Sequence, residues 1–136
     1  MSRTASIEIS YNSNIDFVDF VDKLISSEWD YNDYGKIRYT IGEEFEWKTD
    51  LLKNFQNVIN KIKSEYSKDE IIAINFLYKG IYGGNFIFIN KTKIAFNLNI
   101  NRRTLNNGEN TDFSFYIEAL DNVITNDCYL VCTEIP

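Results

Sequence analysis

Two short segments combine carboxylates with aromatic rings at a spacing that could do chemistry. Residues 28–35 are EWDYNDYG, and residues 42–48 are GEEFEWK. Aromatic rings are costly to leave in water, and carboxylates are costly to bury. Each segment could therefore be a solvated turn with its rings folded inward, an oxygen-rich cation site, or a surface that meets a basic partner.

The cation interpretation depends on residues 46–48, EWK. This tripeptide resembles the (D/E)xK half of the PD-(D/E)xK nuclease motif, in which an acid on the preceding strand completes a Mg²⁺ site. The resemblance implies Asp33 as that acid and Gln56 as a polar residue on the following helix, with Lys48 positioning water. The proline that precedes the first acid in that family is absent here. A simpler interpretation makes Glu44, Glu46 and Lys48 the solvated face of an edge strand, so we expect no metal and no cofactor.

Other catalytic groups are scarce. The chain has no histidine, which excludes the commonest general acid or base and every nucleophile activated by one. Cys128 and Cys132 lie four residues apart on one face of a predicted strand, too far apart to bridge each other, and we expect two buried free thiols. We therefore expect no enzyme activity.

Two further motifs are structural in this interpretation. Gly80, Gly83 and Gly84 precede a strand rather than a helix, so they predict a hairpin turn with positive φ instead of a phosphate loop. Arg102 and Arg103 form an adjacent basic pair without surrounding aromatics, which indicates solvated charges or partners for acidic loops.

Charge points toward a cationic partner. The chain has 14 basic and 20 acidic residues, a net charge of −6 and a pI near 4.6, which disfavours nucleic-acid binding. Between residues 28 and 50 there are seven acids against three bases, together with both tryptophans. We expect this region to be the main contact face, with the second segment folded beside the first. The candidate contact residues are Glu28, Trp29, Asp30, Tyr31, Asp33, Tyr34, Glu43, Glu44 and Glu46.

The elements that must position these residues follow from hydrophobic periodicity. Helical spacing predicts helices over 14–27, capped at Ser13 or Asn14, over 50–66, capped at Thr49 or Asp50, and over 112–124, capped at Thr111 or Asp112. A strand over 113–117 is the alternative for the third. Alternating or continuous apolar residues predict strands at 7–11, 36–41, 45–48, 71–78, 85–90, 94–100 and 128–135.

This order predicts one α+β domain over residues 1–136, a single mostly antiparallel sheet with about three helices packed on it. Many aromatic residues should make the core ring-packed. No apolar run reaches the roughly 18 residues of a membrane span, and the N-terminus does not resemble a signal peptide. We expect a cytoplasmic protein without a membrane partner.

The whole profile resembles the immunity proteins of bacterial contact-dependent growth inhibition, polymorphic-toxin and bacteriocin systems. These proteins are small, acidic and cytoplasmic, and they share no single fold. The resemblance implies stoichiometric binding to a cognate protein toxin, through its C-terminal toxin domain, by acids and aromatics that face a basic, often nuclease, surface.

Two other functions stay open at this point. An α+β sheet with exposed Asn97 and Asn99 could form a ligand groove or pair with a second copy, so the chain is a monomer or a homodimer. The Mg²⁺-dependent nuclease is the third possibility.

Overall fold

Eight strands form one sheet, and three helices pack on one of its faces, which confirms the predicted α+β class. The computed structural model describes residues 3–136. In chain order the elements are β1 (Thr4–Tyr11), α1 (Phe17–Ile25), β2 (Trp29–Asp30), β3 (Lys36–Ile41), β4 (Lys48–Leu51), α2 (Phe55–Ser67), β5 (Ile72–Tyr78), β6 (Tyr82–Phe88), β7 (Lys93–Ile100), α3 (Phe113–Ala119) and β8 (Cys128–Ile135).

The strand order across the sheet is β4-β3-β5-β6-β7-β1-β8, and the short β2 pairs with β5. Every one of these pairs is antiparallel. The two edges are thus β4 and β8. The first and last strands are neighbours, and Thr4 lies opposite Ile135.

Aromatic rings pack through much of the core, as expected. The rings of Phe86 and Phe96 stack with centroids 4.1 Å apart, on adjacent strands in register. Phe20 of α1 contacts Phe86 at 5.9 Å, and Tyr116 of α3 contacts Phe96 at 6.1 Å. From α2, Tyr66 contacts another ring of this face. All three helices therefore lie on one side of the sheet, which we call the helix face.

The opposite side, which we call the open face, is polar along much of its width. It carries Glu8, Asn75, Asn85 and Asn97, because side chains alternate along each strand. Within residues 3–136, no helix packs on it.

Helix α1 begins later than predicted. Its N-cap is Asp16, whose Oδ1 accepts from the Asp19 N–H at 3.0 Å, rather than Ser13 or Asn14. Its buried residues Phe17, Phe20, Val21 and Leu24 keep the predicted helical spacing.

Helix α2 also starts late. The Asp50 carboxylate accepts from Asn54 Nδ2 and from the Leu51 N–H, both at 2.7 Å, and these bonds lower the pKa of Asp50. Asp50 and Leu51 are the last two residues of β4, and a 3₁₀ helix over Leu52–Asn54 follows them. The α-helix begins only at Phe55 with Asn54 as its N-cap, so the predicted cap at Thr49 or Asp50 is wrong.

Helix α3 is capped by Asp112, whose Oδ1 accepts from the Phe115 N–H at 3.2 Å, as predicted, and the strand alternative for 113–117 is wrong. Among residues 3–136, none of the helices has both the length and the apolar character needed to cross a bilayer.

The glycine hairpin differs from the prediction. Of the three glycines, only Gly80 has a positive φ, of 71°, whereas Gly83 and Gly84 belong to β6. A Cβ on Gly84 would lie 1.7 Å from the Asn97 carbonyl oxygen, and one on Gly83 would lie 2.1 Å from that of Phe76. These two glycines are required by close strand packing beside a register shift in the β6–β7 pair, not by a turn.

The cysteines are free, but they are not both buried. Cys128 is half-buried and Cys132 is exposed. The prediction of two buried thiols is wrong because β8 forms the sheet edge, where its side chains have neighbours on one side only.

Candidate functional site

Trp29 belongs to the core and is not a surface anchor. Its side chain is 2% exposed, and the indole meets the rings of Phe86 and Phe96 edge-on at 5.4 and 5.5 Å. Its Nε1–H donates to the Ala119 carbonyl at 2.9 Å, which ties β2 to the end of α3. The expectation that Trp29 contacts a partner is therefore wrong.

Asp33 is buried as well. It is 3% exposed, and its Oδ2 accepts from Asn75 Nδ2 at 2.9 Å and faces Arg38 Nε at 3.2 Å. The hydrogen bonds continue across the open face: Asn85 donates to Asn75 at 2.6 Å, and Asn99 donates to Asn85 at 2.8 Å. Asp33 terminates this amide chain, so it is a structural acid and not a contact residue.

Tyr31 has a structural role too, because its ring stacks on Phe55 at 3.6 Å and fastens the loop to α2. Asp30 is exposed, but its carboxylate accepts from the Asn32 N–H at 2.8 Å and closes the turn. Only Tyr34, at 76% exposure, projects freely from this loop, with a left-handed φ of 52°. Glu28 is exposed and lies 3.9 Å from the Lys79 ammonium.

The second segment remains at the surface. Residues 42–47, which we call the acidic loop, connect β3 to β4. Glu43, Glu44 and Glu46 are exposed, and none of them forms an ion pair within residues 3–136. Phe45 and Trp47 are 39% and 42% exposed. The alternation that predicted a strand over 45–48 instead forms this loop, with Phe45 at a positive φ of 51°, and β4 begins only at Lys48.

The two segments lie at opposite ends of β3. Residues Lys36 and Ile41, which bound this strand, are separated by about 17 Å at the usual rise per residue. The segments are therefore not folded beside each other, contrary to expectation. The acidic-aromatic region of the sequence is therefore two separate loops. Residues 28–35 form a largely structural loop before β3, and residues 42–47 form an exposed acidic loop after it.

This separation also contradicts the metal site on which the nuclease interpretation depends. That site needs Asp33 and Glu46 together, but they lie at opposite ends of β3, and Asp33 is held by Asn75 and Arg38. Within residues 3–136, no three acidic or cysteine side chains are grouped as a metal site would require.

A cleft that the sequence did not indicate lies between the start of α1 and the segment before β8. It has a volume of about 140 Å³, and its charged lining residues are Asp16, Asp19, Lys23 and Asp127. Lys23 is paired with Asp19 at 3.1 Å on the same helix. The Tyr11 hydroxyl at its wall donates to the Val123 carbonyl at 2.6 Å, and burial raises the pKa of Tyr11, with smaller contributions from Cys128 and Asp127. Sequence periodicity cannot find such a cleft, because residues 16 and 127 meet only in the folded chain.

The sequence pattern also did not identify the exposed side of β8. Tyr129, Val131 and Ile135 are exposed by 63%, 48% and 60%, and they point to the open face. A signal was present in the sequence, since β8 has a single charged residue, Glu134.

Comparison with known proteins gives no assignment: no protein-family model, curated protein or solved structure matches the chain.

Proposed function

We propose that this protein is a bacterial immunity protein that binds a cognate, basic protein toxin through its toxin domain and neutralises it without catalysis. The observation that carries the proposal is the acidic loop. It presents three exposed carboxylates without an ion-pair partner in residues 3–136, together with the partly exposed rings of Phe45 and Trp47.

These groups match what a protein interface uses. Carboxylates without a cation of their own attract a basic partner and speed its association. Aromatic rings that lose water on binding supply much of the affinity and slow dissociation. Neither ring of the loop is needed to fill the core.

The loop is held in place by its backbone. The Gly42 N–H donates to the Ile71 carbonyl at 2.7 Å, and β3 and β4 pair immediately beyond it, with Tyr39 opposite Lys48. Side-chain changes in the loop should therefore alter binding without unfolding the protein.

Fewer of the candidate contact residues are available to a toxin than the sequence indicated. Trp29 and Asp33 are not available, since both are buried. Tyr34 precedes the start of β3, so it is separated from the acidic loop by more than the strand's length of about 17 Å. A toxin that buries about 800 Å² on each partner covers a patch roughly 30 Å across. We therefore place the contact at the acidic loop, and a patch centred there ends before it reaches Tyr34.

The test compares two variants of equal charge. The first is E43Q/E44Q/E46Q. The second is the control D22N/E118Q/D121N, which removes three exposed acids that have no ion pair in the described chain. Each set neutralises three charges and takes the net charge from −6 to −3.

The partner is the toxin domain encoded directly upstream of this protein's gene, and the measurements are its association rate and the growth of cells that express it. The loop variant should associate at least about tenfold more slowly at low salt and lose protection, whereas the control should stay within about threefold. Added salt should narrow the difference. Equal effects of both variants would place the contact elsewhere. Failure of the wild-type protein to bind or protect would refute the immunity role.

A further inference from the structure

Strand β8 is an unprotected sheet edge. It pairs with β1 over eight residues in continuous register, and its other side has no strand partner within residues 3–136. About half of its N–H and C=O groups therefore point outward and can pair with another strand.

The two edges of the sheet differ in how they are blocked. Strand β4 has four residues, includes Lys48 and Asp50, and leads directly into a helical turn. Strand β8 has eight residues and no internal proline, and no bulge interrupts its pairing with β1. Its one charge, Glu134, is held by Thr111 and by Arg102, 3.4 Å away. Natural edges are normally blocked by the features that β4 has and β8 lacks.

From this geometry we infer that β8 is the self-association edge of the protein, where two copies join antiparallel into one continuous sheet. A second copy is the occupant that fits, because β8 is nearly uncharged whereas the chain as a whole carries −6 and repels another copy elsewhere.

Symmetry restricts the register of this pair. A two-fold axis perpendicular to the sheet keeps each side chain on its own face of the sheet, so two paired residues must belong to the same face. Because the faces alternate along a strand, the axis must be centred on one residue, which then pairs with its own copy. Centred on Cys132, it places Tyr129 opposite Ile135 of the second copy and Val131 opposite Thr133 of the second copy. Centred on Val131, it would place the exposed Ile135 opposite Asp127 of the second copy. Ring-to-aliphatic pairs stabilise antiparallel strands, so the register centred on Cys132 is the better one.

The two cysteines of the chain can be used to test this register. Cys132 of each copy would lie directly opposite the other, within reach of a disulfide. Cys128 would lie opposite Pro136 of the second copy, so it could not bridge to Cys128 of that copy. The acidic loop lies near β4, six strand spacings or about 29 Å away, so dimerisation leaves it free.

The first experiment measures the mass of the full chain by sedimentation equilibrium over a concentration series. We expect a shift from the 16.0 kDa of one chain toward twice that mass, at lower concentration when salt is added. V131K should abolish the shift. The matched control is L51K on the opposite edge, since Leu51 is 45% exposed, close to the 48% of Val131. Circular dichroism checks that both variants fold.

The second experiment oxidises the protein with copper phenanthroline in air, where two thiols give up two protons and two electrons to form one disulfide. Covalent dimer should form in the wild type and in C128S, and should be lost in C132S. A chain that stays at 16.0 kDa, or an equal effect of V131K and L51K, overturns the proposal and leaves the edge to a strand of a different protein. If V131K disrupts the dimer but oxidation forms no disulfide at Cys132, the register centred on Cys132 is wrong.

Discussion

Replacing Trp29 by phenylalanine should destabilise the protein strongly, although phenylalanine is also aromatic. The change removes the Nε1–H that donates to the Ala119 carbonyl at 2.9 Å, and a buried acceptor left without a donor costs about 1–3 kcal/mol. The smaller ring also leaves a void against Phe86 and Phe96, which adds about 1 kcal/mol. Together these effects amount to about 3 kcal/mol.

This loss of unfolding free energy lowers the melting temperature, Tm. At about 2.1 cal/mol/K per residue, a chain of 136 residues has an unfolding entropy near 0.29 kcal/mol/K, so Tm should fall by about 10 °C. The control is Trp47→Phe, because Trp47 is 42% exposed and should change Tm by less than about 2 °C. Differential scanning calorimetry measures both. Equal shifts for the two variants would refute the assignment of Trp29 to the core.

Two other predictions concern buried or bonded carboxylates. Asp33→Ala leaves Asn75 Nδ2 without its acceptor and should cost about 2 kcal/mol in urea unfolding, whereas Asp30→Ala at the exposed turn should cost less than about 1 kcal/mol; the reverse order would contradict the buried role of Asp33. Hydrogen bonds from Thr111 hold the pKa of Glu134 below its ordinary value of 4.5, so the folded state gains stability above that pH and loses it as the pH falls further. Glu134→Gln should therefore lower Tm at pH 7 and approach the wild type as the pH falls below 4.5, and a difference that stays constant with pH would contradict this linkage.

The helices and most strands could be predicted because their signal is local. The 3.6-residue period of α1 and the alternation in β7 each depend on neighbouring residues, and both are present in the structure. Strand β2 could not be predicted, since two residues have no period. Its existence depends on pairing with β5, almost fifty residues later in the chain.

The candidate site could be predicted only in part, because the burial of its residues also depends on contacts that are distant in sequence. Trp29 and Trp47 have similar sequence surroundings, an acid on one side and another charged residue on the other. The partner that buries Trp29 is the end of α3, and the partner that buries Asp33 is Asn75, 42 positions away. The exposed edge at β8 depends on strand order, which no local pattern encodes.

The adjacency of the first and last strands has a consequence for synthesis on the ribosome. Strand β1 is made first, but its strand partners are β7 and β8, which leave the ribosome only after residues 93–100 and 128–135 have been translated. At about 5–20 residues per second, β1 waits several seconds with both of its edges unpaired. Ile7 and Ile9 are fully buried in the folded protein, so we expect them to be accessible to other chains during that interval. We expect slow folding that is sensitive to translation rate, because such long-range pairing must close the largest loops in the chain.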